Sequence, residues 1–450
     1  MLDLLIKGGA VMIDGRPSPV NLAIADGRIT AVLSPSIPAP AARETVDADG
    51  LTVLPGLVDA HVHCRQPGFE HKENFASASR AAAAGGVTTI MVMPTDNPFT
   101  DTLDRFREKV AMARASSIVD IALQAAIVPD SPDTAAIHDV GAVSFEAFLS
   151  DAPEAYLLKD DGDLFAVMEA VAAVGGVLGV TPGTPAISGR IEARLHAQNR
   201  RDPGAFIESR PAAAEAVAVA RICLAARATG ARVHIRQVST AESVAVLRAL
   251  KPGTAITAEV TAHNLMLDES RLHALGPFAK VVPPLRPKTD IDAVRAALKD
   301  GVIDIVVTDH APHAEAEKQA GATDIWAAPG GFPGLQTLLP TLLKLGTQGD
   351  FDLGKLSSVA ARQPALLFNL YPRKGWLGPG ADADIVLVDM TAESTVTADE
   401  QFSRARRTPF EGMRYPGRVV RTLLRGRTIY ADGACIDEPV GCVIGTPDPH

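Results

Sequence analysis

The stretch Leu-Pro-Gly-Leu-Val-Asp-Ala-His-Val-His, residues 54–63, ends an apolar run with two histidines that are two positions apart. Side chains two apart on a strand point to the same face, so His61 and His63 can offer two imidazoles to one metal ion. A second apolar run, Ile303–Thr308, ends at Asp309. The two runs predict strand ends of one sheet that carry an active site. The alternative for an isolated pair of this kind is two ordinary surface or core histidines.

Composition limits the class of protein. The chain has 450 residues, of which 47% are hydrophobic and 21% charged, enough for one large domain and a smaller one. A formal charge of −10 and 4% aromatic residues argue against a nucleic-acid surface, so we expect a small-molecule partner. Four cysteines without C-x-x-C spacing indicate neither a disulfide framework nor a zinc ribbon. No targeting segment or membrane span is evident, which favours a cytoplasmic protein.

The order of apolar runs predicts an α/β fold. Runs typical of strands alternate with Ala-rich helical patterns, which indicates parallel βαβ units. Their number over some 300 residues favours a (β/α)₈ TIM-like barrel, with chemistry at the carboxyl ends of the strands. Short alternating runs at both chain ends predict one small β-sandwich domain built from the two ends, giving boundaries of 1–52 and 376–450 for that domain and 53–375 for the barrel. The predicted barrel strands are Thr88–Met93, Ile118–Ile127, Val177–Val180, Arg232–Gln237, Ala255–Val260 and Ile303–Thr308.

Several motifs together resemble one family. They lie at 55–68, 69–73, 84–90, 209–211, 283–286 and 309–313, with two more at 380–384 and 408–412. The chain resembles the cyclic amidohydrolases, which comprise dihydroorotases, allantoinases and hydantoinases, and its motifs are most similar to those of dihydroorotase. The resemblance implies a metal-dependent hydrolase that opens the C–N bond of a cyclic amide or imide. It also implies a homodimer or homotetramer.

The resemblance implies two metal ions at the barrel mouth, but only one set of ligands is intact. His61, His63 and Asp309 match the first set. Thr181 and Gln237 stand where the family has the two imidazoles of the second ion. Glu146 stands at the bridging position, where it supplies a carboxylate without lysine carboxylation. Because hydroxyl and amide groups are weak zinc ligands, we expect one zinc ion on His61, His63, Glu146 and Asp309.

The same resemblance assigns roles in catalysis. Asp309 is the expected general base, which takes a proton from water and passes it to the leaving nitrogen. Gln237 or Thr181 is expected to polarise the substrate carbonyl. Arg236 is expected to point away from the site, because it alternates with Gln237 along a strand. A catalytically silent homologue that supports a partner enzyme is the alternative.

Four residues are expected to bind substrate: Arg65, Thr95, Gln237 and His313. Arg65 and His313 match positions that contact the substrate carboxylate in dihydroorotases, which implies an acidic ring. Thr95 and Val282 replace two asparagines of that family, so a ring other than dihydroorotate is expected. The alternative for Arg65 is a surface charge that pairs with Glu70 or Glu73. His263 is the histidine to consider as a substitute ligand, and the segment 313–332 is expected to be a mobile loop at the site.

Overall fold

The computed structural model describes residues 1–349 and 351–445. In chain order the strands are β1 Leu2–Lys7, β2 Ala10–Ile13, β3 Arg16–Pro19, β4 Asn21–Ala25, β5 Arg28–Leu33, β6 Ala42–Asp47, β7 Thr52–Pro55, β8 Leu57–Val62, β9 Val87–Val92, β10 Asp120–Ala126, β11 Ser144–Phe148, β12 Val177–Thr181, β13 Arg232–Ile235, β14 Ile256–Thr261, β15 Ile305–Val307, β16 Ile385–Thr395, β17 Arg414–Leu424, β18 Arg427–Ala431, β19 Ala434–Cys435 and β20 Val443–Ile444.

Strands β8 to β15 form a parallel sheet in sequence order, each paired with the next. The last strand returns to the first, because Val62 bridges His310 and the His63 amide donates to the His310 carbonyl at 2.8 Å. Asp59 reinforces this closure by accepting hydrogen bonds from the amide and hydroxyl of Thr308. The predicted (β/α)₈ barrel is therefore confirmed.

Helices lie between the barrel strands and follow the last of them. They are α1 Phe75–Ala84, α2 Leu103–Ser116, α3 Thr134–Asp139, α4 Asp161–Ala173, α5 Pro185–Ala197, α6 Pro203–Ser209, α7 Ala212–Thr229, α8 Ala241–Leu250, α9 Glu269–Leu275, α10 Lys288–Lys299, α11 Glu315–Gln319, α12 Leu338–Thr347, α13 Leu353–Ser357 and α14 Gln363–Leu367. Many begin at a residue whose side chain accepts from the first turn, such as Asn74, Thr102 and Thr240. The longest, α7, ends at Gly230 in a left-handed conformation with φ 72°.

The chain ends build two further sheets, as predicted. One has the order β5-β4-β1-β6, and the other has the order β19-β18-β17-β16-β7-β2-β3. The apolar run 51–58 is split at Gly56: the residues before it form β7 of the second sheet, and those after it begin β8 of the barrel. Gly56 packs closely against the barrel, since a Cβ atom there would lie 2.1 Å from the Thr88 hydroxyl. The predicted domain boundaries stay a prediction: β7 crosses the one at 52, and residues 446–450 lie outside the described residues.

A buried lysine joins the barrel to these sheets. Lys374 Nζ contacts Asp120 of β10 at 2.5 Å, Asp384 at 2.7 Å and Asp382 at 2.8 Å. Arg425 adds a second contact to Asp120. The three carboxylates lie close enough together to hold a metal ion, but the ammonium group already occupies the space between them.

In the described part of the chain, every helix is too short or too polar to traverse a lipid bilayer. All four cysteines are free thiols.

Candidate active site

Three side chains at the mouth of the barrel converge on one point. The Asp309 Oδ1 atom lies 3.2 Å from His63 Nε2 and 3.5 Å from His61 Nε2. In the described part of the chain, His61, His63 and Asp309 form one of only two groups of side chains spaced to hold a metal ion. His61 lies near the end of β8, His63 follows it and Asp309 follows β15; these are the first and last strands of the barrel, which the closure of the sheet brings side by side.

The Nε2 atoms of the two histidines face Asp309, and each ring is held in place through its Nδ1 atom. His61 Nδ1 lies 2.5 Å from Glu259 Oε1, and His63 Nδ1 lies 2.6 Å from the Thr95 hydroxyl. The Glu259 carboxylate can only accept, so its contact places a proton on His61 Nδ1, and the Thr95 hydroxyl orients the His63 ring through Nδ1. Two imidazole nitrogens and a carboxylate with such supporting contacts are a donor set that fits a divalent metal.

The third ligand is fixed by Gln237. Its Nε2 atom donates to Asp309 Oδ2 at 2.6 Å and to the Val282 carbonyl at 3.1 Å. Both residues have a left-handed backbone, with φ 49° for Gln237 and 47° for Asp309, which is costly for residues other than glycine. The backbone is therefore held in an unfavourable conformation where it presents these side chains to the site.

Charge and burial act in opposite directions on these groups. Burial lowers the pKa of His63 to about 3, so its imidazole is neutral at physiological pH. Burial alone would raise the pKa of Asp309, but the charge of His61 and the hydrogen bond from His63 bring it below its usual value. The pKa of Glu259 is well below normal despite burial, because His61 and Arg236 face it.

A cavity of about 240 Å³ opens above the metal-ligand group. All four predicted substrate-binding residues line it, namely Arg65, Thr95, Gln237 and His313. The Arg65 Nε donates to the Pro312 carbonyl at 3.2 Å, and its Nη2 lies 3.1 Å from His313 Nε2. Arg65 thus faces the site, and the alternative of a surface pair with Glu70 or Glu73 is not observed.

Glu146 is not brought together with the other predicted ligands. It is fully buried in the barrel, where its carboxylate accepts from Arg236 Nε at 2.9 Å and from the Thr181 hydroxyl at 3.0 Å. Burial raises its pKa, and the facing guanidinium opposes that rise. The structure therefore pairs this carboxylate with an arginine and leaves it outside the metal-ligand group.

The expectation for Arg236 was wrong. Strand β13 ends at Ile235, and the left-handed turn at Gln237 breaks the alternation on which that expectation depended. Arg236 keeps the alternation of the strand and enters the barrel on the same side as His234, whereas Gln237 departs from it and turns its side chain toward Asp309. Neither Gln237 nor Thr181 has a hydrogen left to polarise a carbonyl, since both donate to protein acceptors.

His263 is buried beside the site but does not join the ligand group. Its ring packs edge-on against Phe332 and its Nε2 has no hydrogen-bond partner among the described residues. Burial lowers its pKa to about 4.

The segment 313–332 folds over one side of the cavity. Lys318, buried within it, donates to the carbonyls of Lys280, Pro329 and Gly331 at 2.8 to 3.0 Å. These contacts attach helix α11 to the cavity wall, and the mobility expected for the segment stays a prediction.

Glu259 is the functional residue that the sequence did not single out. It lies in β14 between Ala258 and Val260, and a carboxylate in the middle of an apolar strand was the signal that could have found it. Its two oxygens contact three basic side chains: those of His61, His234 and Arg236.

Comparison with known proteins agrees with this geometry. Residues 50–243 match the dihydro-orotase-like family model, and residues 186–429 match the amidohydrolase family model. The chain belongs to the amidohydrolase family. This amidohydrolase is 39% identical over 431 residues to a dihydroorotase of Halobacterium salinarum, with 94% of the chain and 95% of that protein covered. It is 36% identical over 437 residues to an allantoinase of Solibacter usitatus, with 96% and 94% covered.

Solved structures give the same result for the whole chain. The L-hydantoinase (dihydropyrimidinase) of Arthrobacter aurescens superposes with a TM-score of 0.95 at 31% identity, covering 98% of this chain and 99% of that one. The predicted family and enzyme class, a hydrolase of cyclic amides, are confirmed. Relatives with three different substrate names match the amidohydrolase to a similar degree, so similarity alone does not select its ring.

Proposed function

We propose that this amidohydrolase opens a cyclic amide or imide with the help of one zinc ion held by His61, His63 and Asp309. The observation that carries the proposal is the convergence of these three side chains, with both histidines oriented through Nδ1. When bound, such an ion polarises a carbonyl group and acidifies water.

The chain's own residues then provide the proton transfers. Asp309 accepts a proton from the water that adds to the ring carbonyl, and returns it to the ring nitrogen as the C–N bond breaks. The product carries a new carboxylate and a protonated nitrogen. Gln237 keeps the Asp309 carboxylate in place through its 2.6 Å hydrogen bond.

Arg65 supports a preference for an acidic ring. Its guanidinium lines the cavity and, within the described residues, contacts a carbonyl and an imidazole but forms no ion pair. A half-buried cation at the cavity wall without a carboxylate partner favours a ligand that supplies one. A substrate carboxylate fits this requirement.

We also propose a ring other than dihydroorotate. The Thr95 hydroxyl already contacts His63, and the apolar side chain of Val282 packs against Gly330, so neither offers a free amide to the ring. Polar groups of the pyrimidine would then be left without partners, which costs about 1–3 kcal/mol each.

The test combines metal analysis with a substrate panel of hydantoins, dihydropyrimidines, allantoin, cyclic imides and dihydroorotate. We expect about one tightly bound divalent ion per chain and hydrolysis of at least one ring, with dihydroorotate not the best substrate. Efficient dihydroorotate turnover would refute the proposed specificity. If the purified chain held no metal and hydrolysed none of these rings, the proposed zinc-dependent activity would be refuted and the catalytically silent alternative supported.

A further inference from the structure

The centre of the barrel contains a guanidinium group between two carboxylates. Arg236 is fully buried; its Nε donates to Glu146 at 2.9 Å and its Nη1 to Glu259 at 3.0 Å. Nη1 also donates to the Ala60 carbonyl at 3.2 Å, and Nη2 contacts the Gln124 side chain. Every nitrogen of the group therefore has an acceptor, the condition under which a buried arginine is stable.

A glycine on the neighbouring strand makes room for this pair. A Cβ atom at Gly179 of β12 would lie 2.1 Å from Glu146 Oε2 and 2.7 Å from Arg236 Nη2. The φ of Gly179 is not positive, so its backbone conformation does not require glycine. The missing side chain is the space that the ion pair fills.

The positions that would hold a second ion are all satisfied within the protein. Glu146 accepts from Arg236 and Thr181, and the Gln237 amide donates to Asp309 and a carbonyl. Both oxygens of Glu146, the Thr181 hydroxyl and the Gln237 side-chain nitrogen are thus held by protein partners, and none of these residues supplies an imidazole. A second metal ion therefore does not fit the side chains present.

We propose that Arg236 takes the place of a second metal ion in this site. Its guanidinium supplies the positive charge that Glu146 needs in the barrel interior, and it fixes the stoichiometry at one ion per chain. Three buried carboxylates, those of Glu146, Glu259 and Asp309, are then balanced by one guanidinium and one divalent ion. The inference rests on the proposed function, because it assumes the ion at His61 and His63.

The number of zinc ions bound per chain tests directly whether Arg236 takes the place of a second ion. The wild type is compared with Thr181→His/Gln237→His, which restores two imidazoles, and with the same pair of changes plus Arg236→Met. Each protein is equilibrated with zinc, separated from free metal and analysed for zinc per chain, with circular dichroism as the check of folding. We expect about one, one and two ions respectively. Adding Glu146→Gln to the triple variant is expected to return the count to about one.

Two results would overturn the inference. One is a second ion in the variant that keeps Arg236; the other is a folded triple variant that still holds only one. Native mass spectrometry of the wild type at rising zinc does not depend on the folding of any variant, and a second tightly held ion there would also refute the role of Arg236. A wild type that holds no ion would refute the proposed function itself and this inference with it.

Discussion

The replacement Glu259→Gln tests how strongly the barrel interior controls the metal site. Glu259 contacts His61 Nδ1 at 2.5 Å and accepts from His234 Nε2 and Arg236 Nη1 at 3.0 Å and from the backbone N–H of Gln237 at 3.4 Å. A glutamine has the same shape but only one acceptor oxygen, so its amide group must face at least one of these donors. The charge that makes the His61 imidazole a stronger ligand is also lost.

The expected effects follow from these contacts. Loss of a carboxylate that supports a metal-bound histidine weakens metal binding about 10- to 100-fold, which corresponds to about 1.4–2.7 kcal/mol. Removing one partner of a buried ion pair costs about 3–5 kcal/mol of folding free energy. Arg236 keeps Glu146 as a second partner, so we expect the lower end of that range.

The assay is competition for zinc with a chromophoric chelator at neutral pH, alongside urea unfolding of the metal-free protein. Glu73→Gln is the matched control, because Glu73 forms the same kind of fully buried contact with His310 at 3.2 Å but touches no metal ligand. We expect the control to lose stability while keeping its zinc affinity. Zinc affinity of Glu259→Gln within about twofold of the wild type would refute the reasoning, since even a weak supporting contact contributes more than that. Equal losses of affinity in both variants would show general destabilisation instead.

Further predictions concern catalysis, specificity, acidity and packing. Asp309→Asn should reduce kcat/KM at least about 100-fold while the protein stays folded; a smaller loss measured on the best substrate would exclude Asp309 as the proton carrier. Arg65→Ala should weaken turnover of acidic rings by about tenfold or more and of neutral rings much less; equal effects in a paired kinetic comparison would remove its role in selectivity. The pKa of His63 is lowered from 6.5 to about 3, so the unfolded chain takes up a proton that the folded chain refuses. Stability of the metal-free protein should therefore fall as the pH drops from about 6.5 toward 3, and a flat profile of unfolding free energy would contradict this. Gly179→Ala should cost about 1–3 kcal/mol, because its Cβ would lie 2.1 Å from a carboxylate oxygen, whereas Gly189→Ala, with nothing within 4 Å, should be neutral or stabilising in the same unfolding measurement.

The parts of the site that follow a local pattern could be predicted from the sequence. The spacing of His61 and His63 and the apolar run before Asp309 depend only on strand alternation and on the order of strands in a barrel. The barrel itself followed from the alternation of strand and helix patterns, and its closure placed the two ligand-bearing strand ends side by side.

The parts that depend on partners across the barrel could not be predicted in this way. Whether Glu146 binds a metal or an arginine depends on which side chain faces it from the end of β13, and the left-handed turn at Gln237 is what lets both Arg236 and Gln237 point inward. The space for the pair comes from the side chain that Gly179 lacks, a feature visible only once β11 and β12 lie next to each other. Sequence spacing indicates the face of a strand, but not what occupies the opposite wall.

The sheet shared by the chain ends has a consequence for synthesis on the ribosome. Strand β7 pairs with β16, with Pro55 opposite Ile385, so its edge stays open until nearly the whole protein has been translated. An unpaired apolar edge is a site for aggregation, and pairings distant in sequence form slowly. The barrel strands between them can associate as they emerge, each with its predecessor. We expect nascent chains that stop before β16 to depend on chaperones, and premature termination there to give insoluble products even though every metal ligand has already been made.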